Sequence, residues 1–318
     1  MGRVSGDYWA ALMWLRVRSV RLLSNTGFIL TLAFALGLLV PDAAPATGSL
    51  MTPLLALVMT FSMLGISADA FTDLRRLPGP IAISLSLNYL VLGGVIVGLS
   101  SLVVSDPEIR TGYMLLAAVP PAVAITPFSY RLGGNTTFAV AGGVAAYLAA
   151  LAITPLASLL LLGTSFVSPL NLVTTLLQLI VAPVVVSRIL RRATFFSLLE
   201  RHRGKVVNWS FFVVCYTIVG LNRSVFFGNP ETLLQASIVA FATTFVLGEV
   251  IDRVARWAGA NRADRISFAL FGTRKNNGLA AGLALAFFSA TAAVPAAILT
   301  PFTIAHFFWL DLRSKPGP

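Results

Sequence analysis

Ten stretches of the chain are apolar on almost every face: 26–40, 50–67, 80–104, 111–132, 136–163, 167–190, 206–221, 231–250, 266–289 and 293–310. A helix on the surface of a soluble protein shows a polar face at a 3.6-residue period. These runs lack it, which is the pattern of helices embedded in lipid. Most come close to the roughly 20 residues that span a bilayer core. The connections are too short for a soluble domain. A basic segment over 1–25 precedes the first run and a short tail over 311–318 follows the last. The first run, followed by Ala44-Pro45-Ala46, has the outline of a secretory signal. The segment before it is far longer than such signals carry, so the run is read as the first span.

Composition sharpens the picture. Hydrophobic residues make up 57% of the 318 positions and charged residues only 11%, against about a quarter charged in soluble domains. The fold class is therefore an all-α polytopic membrane protein, in contact with membrane lipids. The net charge of +11 would point to nucleic acid in a soluble protein. Here its placement gives another reason. Nineteen of the 23 Lys and Arg fall in 1–25, 68–79, 131–135, 188–205, 251–265 and 311–318, on one side of the ten spans. Arg110 and Arg223 fall on the other side, and Arg274 and Lys275 fall within a span. Basic residues hold cytoplasmic loops inside. Ten spans, with both termini cytoplasmic in a bacterial-type inner membrane, account for the charge without a nucleic-acid partner.

Ten divides into five and five, and an odd number per half inverts the second half. The chain is read as two inverted five-helix repeats, 26–163 and 164–310. The matching fragments Ala152-Ile-Thr-Pro155 and Ile298-Leu-Thr-Pro301 fall in the fifth and tenth spans.

Two spans carry the candidate chemistry. The fourth holds Pro120, Pro121 and Pro127 with Thr126 and Ser129 among them. Prolines remove backbone donors and clash with preceding carbonyls, so a discontinuous helix is expected. The ninth runs Thr273-Arg274-Lys275-Asn276-Asn277-Gly278, about 15 Å into its span by helical rise. Each cation there costs roughly 2.5–3.5 kcal/mol on the insertion scale. All twelve Asp and Glu lie in loops or span ends, which argues against a cation relay and for an anion. Thr126, Ser129, Arg274, Lys275, Asn276 and Asn277 are the expected binding residues, with Pro120, Pro121, Pro127 and Gly278 as the helix-break residues. Adjacent residues point about 100° apart, so Arg274 and Lys275 should face different surroundings. His306 is read as hydrogen-bonded between helices, and His202 as solvated. Cys215 is the sole cysteine, which excludes an internal disulfide. Neither a metal-ligand set, a nucleophile–base pair nor a Walker A sequence is present, so no cofactor, enzyme or ATP-driven pump is expected.

Three stretches are similar to the bile acid/sodium symporter family, within the larger group that includes arsenite exporters and auxin-carrier-like permeases. They are Met63-Leu-Gly-Ile-Ser-Ala-Asp-Ala-Phe-Thr-Asp-Leu-Arg-Arg-Leu-Pro78, the stretch from Pro120 to Asn135, and Asn276-Asn277-Gly278-Leu279-Ala280. The resemblance implies a panel domain (spans 1, 2, 6, 7) and a core domain (spans 3–5, 8–10). It also implies that the broken fourth and ninth spans cross in the core, with substrate bound between the domains. It places Asn88 at a span-3 sodium-ligand position, Ile125-Thr126 at the span-4 pair, Phe271 at the span-9 Glu position and Lys275 at a span-9 Gln position. Sodium would lose its only carboxylate and gain an ammonium neighbour. Repulsion of about 4 kcal/mol at 4 Å and an effective dielectric of 20 weakens binding by roughly several hundredfold. The reading is a secondary active transporter, or a facilitator, of a small organic anion, working by alternating access with its sodium sites dismantled. In it Lys275 either stands in for the coupling ion or couples transport to protons. The alternative is a sensor or interaction protein that kept the fold and lost transport.

Overall fold

The computed structural model describes residues 26–65, 78–163 and 169–314. The basic segment 1–25, most of the 63–78 stretch and the last four residues of the tail lie outside the described residues. Every regular element among the described residues is helical. We label them α1 (Thr26–Leu39), α2 (Pro41–Leu64), α3 (Pro78–Val103), α4 (Pro107–Ala118), α5 (Ile125–Leu132), α6 (Thr136–Leu162), α7 (Val173–Arg191), α8 (Phe196–Leu221), α9 (Pro230–Trp257), α10 (Arg262–Phe271), α11 (Asn277–Phe287) and α12 (Thr291–Arg313). Seven of them, α2, α3, α6, α7, α8, α9 and α12, are long and apolar enough to cross a membrane. The protein is a multi-pass membrane protein.

Helix starts follow local chemistry. Asp106, Asn135, Asn229, Asn261 and Asn276 each accept a backbone N–H from the first turn of α4, α6, α9, α10 and α11. Such caps satisfy donors that a helix leaves over at its N-terminus.

Two connections expected from hydropathy are corrected. The segment 188–205 is helical to Arg191 and again from Phe196, and 251–265 is helical to Trp257 and again from Arg262. Arg, Lys and Glu are good helix formers. Hydropathy marks where a helix enters water, not where it ends.

Packing places the elements around the two interrupted helices. α8 lies against α1 and α2, and α2 against α7, while α3 to α6 and α9 to α12 pack among themselves. Gly112 sets one close approach. A Cβ there would lie 2.1 Å from the Ala292 backbone oxygen. Gly112→Ala is expected to force α4 away from the first turn of α12, at a cost of roughly 1–3 kcal/mol. A melting temperature in detergent equal to that of the unsubstituted protein would refute this.

Candidate functional site

The proline pair dictates the local structure. α4 ends at Ala118, α5 begins at Ile125, and Pro120 and Pro121 lie between. With no N–H on either proline, nearby carbonyls need other donors. Thr154 Oγ1 donates to Ala118 O at 2.9 Å. The Asn276 N–H donates to Pro120 O at 2.9 Å. Tyr147 OH donates to Pro121 O at 2.8 Å. Lys275 Nζ donates to Ala117 O at 2.8 Å and to Val119 O at 3.0 Å.

The second break, between α10 and α11, lies directly against the first. Pro121 and Lys275 form an antiparallel bridge. On either side of it Asn276 N–H reaches Pro120 O, and Ala122 N–H reaches Arg274 O at 3.3 Å. Two interrupted helices thus share a few residues of sheet-like pairing, which supplies partners that neither has alone.

Lys275 is 2% exposed. Its third partner is Asn88 Oδ1 at 3.0 Å, and the Tyr89 ring centre lies 4.7 Å from Nζ. An ammonium has three donors, and all three are used on neutral oxygens. Asn88 sits in a π-helical segment, Ser86–Leu92, inside α3. Its Nδ2 donates to Phe271 O at 2.9 Å and to Arg274 O at 3.1 Å. One amide therefore holds both the lysine and the unwound backbone carrying it. π-Segments of this kind recur at functional positions.

Arg274 points elsewhere, because the two residues lie in extended backbone between the helices, where neighbours face opposite sides, and not in a helix with its 100° step. Its Nη1 donates to Thr303 O at 2.8 Å, and its guanidinium carbon lies 5.2 Å from the Phe128 ring centre. Asn276 is spent on structure: its Oδ1 caps α11, and its Nδ2 donates to Tyr147 OH at 3.0 Å. Asn277 Nδ2 donates to Thr300 Oγ1 at 3.2 Å, while its Oδ1 has no partner among the described residues.

Other expected residues lie apart from this cluster. Ser129 is fully buried and pairs with Ser267 Oγ at 2.9 Å, tying α5 to α10. Thr126 is half-buried in the first turn of α5. Pro127 lies in that same turn, where a missing N–H is harmless. It helps start α5 and does not make the break. Gly278 lies inside α11, where its bare Cα admits Phe211 and Leu55. His306 Nδ1 has no hydrogen-bond partner among the described residues, which corrects the expected interhelical bond. Sequence reasoning misses Tyr147, Thr154 and Tyr89. A lone hydroxyl in an apolar span carries no sequence signal of the carbonyl it will meet. Among the described residues no group of three or more His, Cys, Asp or Glu is placed to hold a metal.

Comparison of the sequence with known proteins gives the family. The Uncharacterized sodium-dependent transporter YocS of Bacillus subtilis (strain 168) is similar, 28% identical over 276 residues, which cover 85% of this chain and 84% of that protein. The sequence pattern of the Sodium Bile acid symporter family fits residues 52–228, which include Asn88 and the proline break. That match takes in more than half of the 318 residues, and the chain belongs to the Sodium Bile acid symporter family.

Proposed function

We propose that this protein is a secondary transporter of a small organic anion, working by alternating access, in which the Lys275 ammonium permanently occupies the place of a coupling sodium ion. The observation that carries the reading is the set of three neutral oxygens on Lys275 Nζ, from Asn88, Ala117 and Val119. Backbone and amide oxygens around a single positive charge are the surroundings a protein offers a hard cation. Here the cation is covalently attached. A sodium ion would have to displace it or bind beside it. The relative's name speaks of sodium dependence in that protein; in this chain facilitated exchange beside a fixed charge, or coupling to protons, is the reading.

Ten spans in two inverted repeats complete the proposal, with α4–α5 and α10–α11 as the fourth and ninth. The support is pairwise. α3 and α9 each contain a π-segment, Ser86–Leu92 and Ala242–Val246, and each precedes a broken helix, whereas the π-segment of α7, Leu177–Val181, precedes the continuous α8. α6 and α12 both follow one and carry an internal proline, Pro155 and Pro301. The grouping of α1, α2, α7 and α8 fits a panel, and that of the remaining helices fits a core. Both termini are assigned to the cytoplasm from the cation count.

The test is counterflow of labelled small carboxylates in proteoliposomes, with choline replacing sodium on both sides. Exchange is expected to persist. Exchange that appears only with sodium would defeat the fixed-cation reading. Absence of exchange for every carboxylate in either salt would defeat the transporter reading.

A further inference from the structure

Arg274 is a buried charge whose surroundings the fixed-cation reading leaves unexplained. It is 2% exposed, yet among the described residues only Nη1 has a hydrogen-bond partner, Thr303 O. Its Nε and Nη2 are buried and unpartnered. These two nitrogens form one edge of the guanidinium. Their N–H bonds point the same way, side by side, which is the arrangement that takes both oxygens of a carboxylate at once. The Phe128 ring 5.2 Å away covers the plane without using the edge. Burying a charged group with donors unmade is costly. Lys275, one residue along, leaves none unmade.

Among the described residues no acid fills the gap. Glu249 pairs with Arg253 and Arg313, Asp252 with Arg256 and Arg265, and Asp311 with Arg131. A second orphan lies close by. His306 follows Thr303 by one turn on the same face of α12, and its Nδ1 is buried without a partner.

We propose that the Nε–Nη2 edge of Arg274, with His306 beside it, binds the carboxylate group of a small organic acid. The assignment deepens the transporter reading and rests on it for the source of that acid. It gives the two cations different roles, since Lys275 secures the crossing and Arg274 recognises the anion. A halide is the competing occupant; it can straddle the two donors, but a carboxylate offers each of them its own oxygen.

The test measures thermal unfolding of the purified protein in detergent. Benzoate, acetate and pyruvate are titrated as choline salts, and again as sodium salts, against benzamide and the matching chloride at constant ionic strength. Stabilisation is expected from at least one carboxylate and from neither benzamide nor chloride. Arg274→Lys keeps the charge but loses the fork, and its apparent affinity for that carboxylate is expected to fall by roughly tenfold or more. Unchanged affinity in Arg274→Lys, equal stabilisation by chloride or benzamide, or no response to any carboxylate would each overturn the site. Where Arg274→Lys does not fold, the unsubstituted protein decides through its benzoate, benzamide and chloride responses. A response that needs Arg274 and also needs sodium would overturn sodium independence while leaving the site standing. Sodium-free exchange with unchanged affinity in Arg274→Lys would do the reverse.

Discussion

Lys275→Met is expected to abolish substrate exchange and to destabilise the protein by roughly 3 kcal/mol or more, since each buried acceptor left without a donor costs about 1–3 kcal/mol. Three acceptors lose their donor together: Ala117 O, Val119 O and Asn88 Oδ1. The proline pair removes the backbone N–H groups that would otherwise serve this stretch, so no neighbour is free to replace the ammonium. Methionine restores the volume and none of the bonds. Lys275→Gln is the informative companion. It offers an oxygen in place of a charge, and its melting temperature is expected to rise when sodium replaces choline. The unsubstituted protein should show no such rise. Thermal unfolding in detergent reads both. Unimpaired stability of Lys275→Met, or a sodium response equal in the unsubstituted protein and Lys275→Gln, would sink the fixed-cation account.

Asn88→Leu is the second large expectation, at roughly 2–5 kcal/mol of lost stability. The side chains are similar in volume, so the loss measures hydrogen bonding, not a cavity. Asn88 Nδ2 serves Phe271 O and Arg274 O, and its Oδ1 receives Lys275. The substitution orphans a carbonyl in the second break and takes one of three partners from the lysine. Thr126→Val is the contrast. Thr126 has no side-chain hydrogen bond among the described residues, so its stability change should stay within about 0.5 kcal/mol. Comparable losses in the two variants would mean that the amide is a spectator.

Both breaks are legible in the sequence because their causes are local. Adjacent prolines cannot continue a helix, and five successive polar residues cannot lie in lipid without a partner. The partners are not legible. Nothing near Tyr147 announces that its hydroxyl will meet Pro121 O, 26 residues away. Nothing in Ser86–Leu92 distinguishes a π-segment from ordinary helix, because the shift of a single residue is resolved only by packing. Ser129, Pro127 and Gly278 look like site residues from their neighbours in the chain. The structure uses Ser129 to join α5 to α10, Pro127 to begin α5, and Gly278 to admit Leu55 and Phe211. Arg274 and Lys275 are neighbours in one polar run, and only the fold separates a saturated cation from an unsaturated one.

The pairing of Pro120 to Ala122 with Arg274 to Asn276 has a mechanical consequence. Segments paired in this way do not slide past each other without breaking both backbone bonds, Asn276 N–H to Pro120 O and Ala122 N–H to Arg274 O, together. α4, α5, α10 and α11 are therefore riveted at their middle and move as one piece. The face that α11 turns toward α2 and α8 is built differently. There Gly278 and Gly282 leave notches that the Leu55 and Phe211 side chains enter: a Cβ on Gly278 would lie 2.8 Å from the Phe211 ring, and one on Gly282 2.3 Å from Leu55. Shear between packed helices would have to lift those two side chains out of their notches, so the fold joins α11 to its neighbours by backbone pairing at the crossing and by interlocked apolar side chains along the glycine face beside it.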